Sequence, residues 1–267
     1  MEKLDVAIIV SKEDPAGMNI AEQLQQLLQF PTAINNKKTG LFLREQEIIS
    51  LENIDKEIKA DVFVFASKHV SEAGVNSLTV HSVGNWSKAG RGGKEKTLVK
   101  CPAALMKSCL KLLAAKAEGT SIDYEVAQEA THHGPYIEKP GMFIEIGSDE
   151  ERWNDEKAGK IIAATLIEAI EQMGHNGIKT VVGIGGLHYG HNFKKIMLSP
   201  DLAVSYICSK HLLGALDDGM LKQAMRKSVP EATSVVLDWK GLGSEKAKIV
   251  QLLEKLGINH QRTSDFA

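Results

Sequence analysis

Two histidines stand side by side in the run Ala130-Thr131-His132-His133-Gly134-Pro135. A lone carboxylate follows in the apolar run Phe143-Ile144-Glu145-Ile146-Gly147-Ser148. Five of the 9 histidines fall in three glycine-bearing segments: His81 near Gly84, the pair at His132 and His133, and the pair at His188 and His191. Imidazole nitrogen and carboxylate oxygen are ligands that zinc accepts, and histidine also moves protons near neutral pH. The cluster therefore reads as a metal or acid/base site, the alternative being ordinary polar loop residues.

His132 and His133 would point to opposite faces of a continuing strand. Gly134-Pro135 reads as the end of the strand, which would let both rings turn inward; Pro135 also biases Gly134 away from the helical region. Strand alternation places Glu145 on the face of Phe143, opposite Met142, Ile144 and Ile146. A buried carboxylate is costly unless paired. Glu145 thus fits a metal ligand, a partner to a histidine or a general base, with an edge-strand position as the plain alternative. His188 and His191 lie three residues apart and face the same way in a helix or tight turn. That suits two nitrogens at about 2.0–2.1 Å from one zinc ion; a glycine-rich turn with histidines at strand ends is the alternative. The expected catalytic residues are His132, His133 and Glu145. The expected zinc ligands come from His81, His132, His133, Glu145, His188 and His191.

These residues need strand ends to hold them. Residues 4–10 read as a buried strand, followed by the N-cap and first-turn proline Asp14-Pro15 and a helix carrying Ile20, Leu24, Leu27 and Leu28. Further strands are expected at 62–66, 78–80, 142–146, 180–184, 203–207 and 235–237. Helices are expected at 103–117, at 213–225 and around Ile249, Leu252, Leu253 and Leu256. Ser148 and Glu151 have the spacing of a capping box, opening a helix with Ile162, Leu166, Ala169, Ile170 and Met173 on one face. Alternating strands and helices predict an α/β fold with a mixed sheet flanked by helices. The 267 residues suffice for one α/β catalytic unit, with a lobe boundary at 118–122 as an alternative.

The segment Asn85-Trp86-Ser87-Lys88-Ala89-Gly90-Arg91-Gly92-Gly93-Lys94-Glu95-Lys96 reads as a flexible basic loop. Lys88, Arg91, Lys94 and Lys96 can meet phosphates and Trp86 can stack on a base; a solvated loop is the alternative. With a net charge of −2, any RNA must be held by such a local patch. Lys68, His69 and Asn85 join the expected substrate contacts, as do Gly185 and Gly186, whose amides, like that of Gly134, suit an oxyanion. The run Gly183-Ile184-Gly185-Gly186-Leu187-His188 lacks the spacing of a dinucleotide fingerprint. Three cysteines without a C-x-x-C pair fit a reducing cytosol rather than a disulfide framework or zinc ribbon. No run reaches membrane-spanning length, and a cytoplasmic location is expected.

Taken together, Ser67-Lys68-His69, Leu78-Thr79-Val80-His81, Gly84-Asn85-Trp86, Thr131-His132-His133-Gly134-Pro135, Phe143-Ile144-Glu145-Ile146-Gly147-Ser148 and Gly183-Ile184-Gly185-Gly186-Leu187-His188-Tyr189 resemble the archaeal and plant-type D-aminoacyl-tRNA deacylases. The resemblance runs from the first strand to Lys240-Gly241. It implies an esterase that removes D-amino acids from tRNA, zinc dependence, and a fold similar to peptidyl-tRNA hydrolases and nucleoside phosphorylases. The expected partner is aminoacyl-tRNA, and a monomer the expected working unit. Zinc would supply an activated water and polarise the ester carbonyl; a histidine positioning water without metal is the alternative route. Two other readings stand beside it. A phosphorylase-like or metal-dependent amidohydrolase acting on a small molecule would not need the basic loop. A non-catalytic RNA-binding module would not need the histidines and glutamate.

Overall fold

The computed structural model describes residues 2–71, 74–120, 122–174 and 177–266. The first apolar run forms β1 (Leu4–Ser11), with Val6 to Val10 wholly buried. Asp14 then caps α1 (Pro15–Leu27), accepting the Gly17 amide at 2.8 Å, with Pro15 in the first turn. The chain continues through β2 (Thr32–Ile34), β3 (Lys37–Arg44), β4 (Ala60–Val70) and β5 (Ser77–Ser82). The short strands β6 (Gly84–Asn85) and β7 (Thr97–Leu98) pair across the basic loop, and β8 (Cys101–Pro102) leads into α2 (Ala103–Thr120). β9 (Glu125–Gln128), β10 (Gly141–Ser148), α3 (Glu150–Trp153) and α4 (Glu156–Glu171) follow. The remainder comprises β11 (Lys179–Ile184), α5 (His191–Leu198), β12 (Leu202–Cys208), α6 (Asp218–Lys227), β13 (Ser228–Val229), β14 (Ala232–Leu237), α7 (Lys246–Leu256) and β15 (His260–Arg262).

The larger sheet has the order β2-β3-β1-β4-β10-β5-β9 and is mixed, as expected. β3, β1, β4 and β10 run parallel, β5 is antiparallel to β10, and β9 is parallel to β5. The second sheet, β12-β11-β14-β15, is parallel throughout. The chain changes sheet between α4 and β11. Residues 118–122 instead join α2 to β9 inside the larger sheet, and Ser121 of that stretch lies outside the described residues.

One apolar cluster lies between the larger sheet and α1, α2 and α4 and continues onto the second sheet. Another, around Ile9, Phe63, Phe65 and Phe143, covers the opposite face of the larger sheet. The alternation along β10 divides accordingly: Met142, Ile144 and Ile146 join the first cluster and Phe143 the second. Cys101, Cys109 and Cys208 are buried free thiols. Among the described residues, no helix is long and apolar enough to cross a membrane.

Two helix starts differ from expectation. The pattern at Ser148 and Glu151 does not open the long helix. Asp149 caps only the single turn α3, and α4 starts afresh behind Asp155, whose carboxylate accepts the Lys157 amide. Aspartate competes well for an N-cap, and two of them divide this stretch. Likewise, the 213–225 stretch is split. A 3-10 turn, Lys210–Ala215, precedes α6, and Asp217 caps α6 by accepting the Met220 amide.

Candidate active site

β4, β10 and β5 lie side by side and bring Ser67 opposite Glu145 and Phe143 opposite His81. β4 runs on to Val70, so Ser67, Lys68 and His69 are strand residues rather than a loop beyond one. Glu145 is buried, and the Ser67 hydroxyl donates to its Oε1 at 2.5 Å. The His81 ring is fully buried and stacks on Phe143, with centroids 4.8 Å apart and planes 5° from parallel. Its Nε2 stands 3.6 Å from Glu145 Oε2. Neither atom has a hydrogen-bond partner, although both are buried.

The adjacent histidines join this group. His133 takes a left-handed φ of 48°, which breaks strand alternation and turns both rings to one side. The His81 and His132 ring centroids are 4.3 Å apart, those of His81 and His133 5.0 Å, and those of His132 and His133 4.3 Å. Each ring binds a backbone carbonyl through Nδ1: His81 to Ser82 O at 3.1 Å, His132 to Ala130 O at 2.7 Å, and His133 to Gly134 O at 2.7 Å. A carbonyl can only accept, so Nδ1 carries a proton in all three. Burial opposes charge on His81, but the Glu145 carboxylate facing its Nε2 outweighs it and raises the ring, so a bare Nε2 belongs to His132 and His133. One nitrogen of each ring lies within 4.8 Å of one nitrogen of the other two. Burial, then the neighbouring histidines, hold His132 well below the usual range; burial and His81 bring His133 down to about 4.

Glu129 does not stand out in the sequence, yet it is wholly buried at the centre of the site. Its Oε2 meets His188 Nε2 at 2.8 Å, and its Oε1 meets His69 Nδ1 at 3.1 Å. The signal was its position, a carboxylate three residues before His132 at the end of β9. Tyr189 was also missed; its hydroxyl lies 3.0 Å from His69 Nε2. Burial opposes charge on His69, but the Glu129 and Glu145 carboxylates outweigh it and raise the imidazole to about 11. The same rings hold Glu129 and Glu145 well below the carboxylate range despite their burial.

A cavity of about 300 Å3 opens over this group, lined by Asp14, Lys68, His69, Arg91, His132, His133, Glu145 and His188 among others. Asp14 ties α1 to it: one carboxylate oxygen caps the helix and the other accepts the Lys68 amide at 2.9 Å.

Several expected contacts fall elsewhere. His191 begins α5 and pairs with Glu125 at 2.9 Å, apart from the three groups of potential ligands. Trp86 cannot stack on a base: it is buried, and its indole N–H donates to Ile207 O at 3.2 Å. Asn85 is buried too and donates to Gly92 O at 2.9 Å, fixing the basic loop rather than a ligand. The loop is held down further, because Gly134 donates its N–H to Arg91 O at 2.9 Å. Arg91 thereby reaches the cavity; Lys88 is exposed, Lys94 covers the Tyr136 ring at 3.6 Å, and Lys96 pairs with Asp217 at 2.9 Å. The expected oxyanion amides are already engaged at Gly134 and at Gly185, which donates to Cys208 O at 2.8 Å. Gly186 lines a different cavity.

Fold and site define a mixed α/β protein in which histidines and carboxylates from the larger sheet and from the loops after β9 and β11 gather at one cavity. Residues 56–261 match the D-aminoacyl-tRNA deacylase family profile. The chain is 36% identical to the D-aminoacyl-tRNA deacylase of Pyrococcus furiosus, over 94% of this chain and 97% of that one. It is 33% identical to that of Thermococcus kodakarensis, over 96% and 98%. A crystal structure described as a conserved protein of unknown function superimposes with a TM-score of 0.88 at 27% identity, covering 100% of this chain and 98% of the other. The chain belongs to the D-aminoacyl-tRNA deacylase family, hydrolases of the ester between amino acid and tRNA.

Proposed function

We propose that D-aminoacyl-tRNA is hydrolysed in the cavity over β4 and β10, with zinc held by Nε2 of His81, His132 and His133 and by Glu145. The observation that carries this is the common proton arrangement. Three separate carbonyls hold Nδ1 of three rings, whose nitrogens gather within 4.8 Å of one another, and His81 turns its Nε2 to a buried carboxylate oxygen that has no hydrogen-bond partner. Carbonyl-oriented imidazoles are what a zinc site requires of its surroundings. Their lowered basicity suits ligation, since no proton must leave His132 or His133 at neutral pH. Zinc in such a site supplies Lewis acidity to an ester carbonyl and acidifies a water.

The protein's own groups do the remainder. Glu129 accepts from His188 Nε2, which leaves His188 Nδ1 bare as a base toward the cavity and, after taking a proton, as the acid that protonates the departing ribose oxygen. Lys68 and Arg91 bring positive charge to the cavity wall, where the acyl oxygen becomes anionic and the terminal phosphodiester must sit. His69, held by Tyr189 at Nε2, sets its Nδ1 3.1 Å from Glu129 Oε1 and 3.6 Å from Glu145 Oε2, where its positive charge balances the two carboxylates.

Zinc is tested directly. The protein purified without chelator should contain zinc by elemental analysis, lose hydrolysis of D-aminoacyl-tRNA after chelation, and recover it when zinc returns. Full activity in metal-free protein would leave the histidines to position water by themselves.

A further inference from the structure

The second sheet carries its own crevice. β11 enters first, β12 lies on one side of it and β14 on the other. The strand order reverses there, and crevices beyond the carboxyl ends of parallel strands at such a point are where α/β sheets bind ligands. A cavity of about 600 Å3 occupies this place, lined by the loops after β11, β12 and β14. The loops meet backbone to backbone: a Cβ on Gly241 would lie 2.2 Å from the Gly186 nitrogen, and Gly185 and Gly186 take φ of 101° and 84°. Only glycine permits this approach.

We infer that this crevice binds a phosphate-bearing nucleotide of the tRNA 3′ end, next to the aminoacylated one, while the ester lies in the first cavity. This rests on the hydrolytic reading above. Lys210 and Lys240 line the crevice, both exposed, and neither has an ion-pair partner among the described residues. The acidic neighbours are already engaged. Asp238 accepts from Asn192 Nδ2 at 2.8 Å and from the Gly241 amide at 3.2 Å, and Glu245 pairs with Lys248 at 3.5 Å. The partners of Asp238 are neutral and leave its charge in place, so the two lysines outnumber it and give the crevice a net positive charge toward a polyanion. Leu187, an apolar side chain 52% exposed, stands on its wall as a surface for a base.

The two cavities share one wall. Between Leu187 and His191 the chain places His188 at the first cavity and its neighbours at the second. Tyr189 belongs to both regions: it lines the crevice, and its hydroxyl bonds His69 in the hydrolytic centre. Gly186, which the sequence suggests as an oxyanion donor, here lines the place of the neighbouring nucleotide.

The test compares the parent protein with the double variant Lys210→Glu/Lys240→Glu, both loaded with zinc, on D-aminoacyl-tRNA and on a D-aminoacyl-adenosine without the phosphates that the crevice would hold. The variant should raise KM for the tRNA at least about tenfold and reduce the log–log salt slope of binding by roughly 0.7 to 0.9 for each phosphate that is no longer neutralised. Turnover on the aminoacyl-adenosine should match that of the parent. An unchanged KM and salt slope for tRNA would overturn the inference, leaving the crevice to free nucleotide or to solvent. An equal loss on both substrates would also overturn it, by showing damage to the hydrolytic centre. A parent protein inert on both substrates would sink the hydrolytic reading itself, and this inference with it.

Discussion

His188 Nε2 lies 2.8 Å from Glu129 Oε2, joining an exposed imidazole to a carboxylate with no exposed surface. The buried partner fixes which nitrogen carries the proton, and the exposed ring presents the other to substrate. Glu129→Gln keeps the shape but cannot support an imidazolium. It should lower kcat on D-aminoacyl-tRNA by at least about a hundredfold with little change in KM. Steady-state kinetics on folded variant, checked by circular dichroism, decides this. An unaltered kcat would remove the pair from proton transfer.

The sequence made His81, His132, His133 and Glu145 visible because residue type and strand alternation suffice for them. Glu129 escaped notice because its importance comes from β9 lying beside β5, a pairing between strands far apart in the chain. His191 was misplaced for a related reason. A three-residue spacing promises a shared face only within one element, and α5 begins at His191 itself. Trp86 looked like a base-stacking residue because a basic loop follows it. Burial against the second sheet, through its bond to Ile207, was not readable locally. The two-sheet arrangement was likewise hidden, since every strand has the same local pattern whichever sheet it joins.

The low basicity of His133 has a consequence for stability. In metal-free protein the native imidazole titrates at about 4, whereas the unfolded one titrates at the ordinary histidine value of 6.5. Between those values the unfolded chain holds a proton that the native chain lacks, so stability is present above pH 6.5 and is lost as pH falls toward 4. The slope for one such group is about 1.4 kcal/mol per pH unit. His133→Asn tolerates the left-handed backbone and lacks the titration. Urea unfolding of chelated proteins from pH 7 to pH 4.5 should show a shallower acid loss in the variant. Parallel pH profiles would contradict the assignment.

Lys107 sits on α2 with 2% exposure, and its ammonium donates to Met197 O at 2.5 Å, to Leu202 O at 2.7 Å and to Ser199 O. It thus satisfies the carbonyl end of α5 from another helix. Lys107→Met should cost at least about 2 kcal/mol, because buried carbonyls lose a charged donor. Equilibrium denaturation measures it; a change within about 0.5 kcal/mol would mean that water replaces the ammonium.

The basic loop should act unevenly. Arg91 faces the first cavity, whereas Lys96 is paired with Asp217. Arg91→Ala should raise KM for D-aminoacyl-tRNA several-fold, and Lys96→Ala should leave it near the parent value, since an exposed pair contributes about 0–1 kcal/mol. Equal effects from the two variants would show that the loop acts only through its total charge.

Hydrolysis of the two mirror-image substrates under single-turnover conditions tests the central claim most directly. Zinc-loaded protein and its His132→Ala variant are each mixed with D-tyrosyl-tRNA and L-tyrosyl-tRNA, and ester loss is followed with time. The parent should cleave the D ester much faster than the L ester, and the variant should lose at least about a hundredfold on the D ester while remaining folded. Equal rates on the two esters, or an undiminished rate in the variant, would contradict a chirality-selective hydrolysis centred on this histidine cluster.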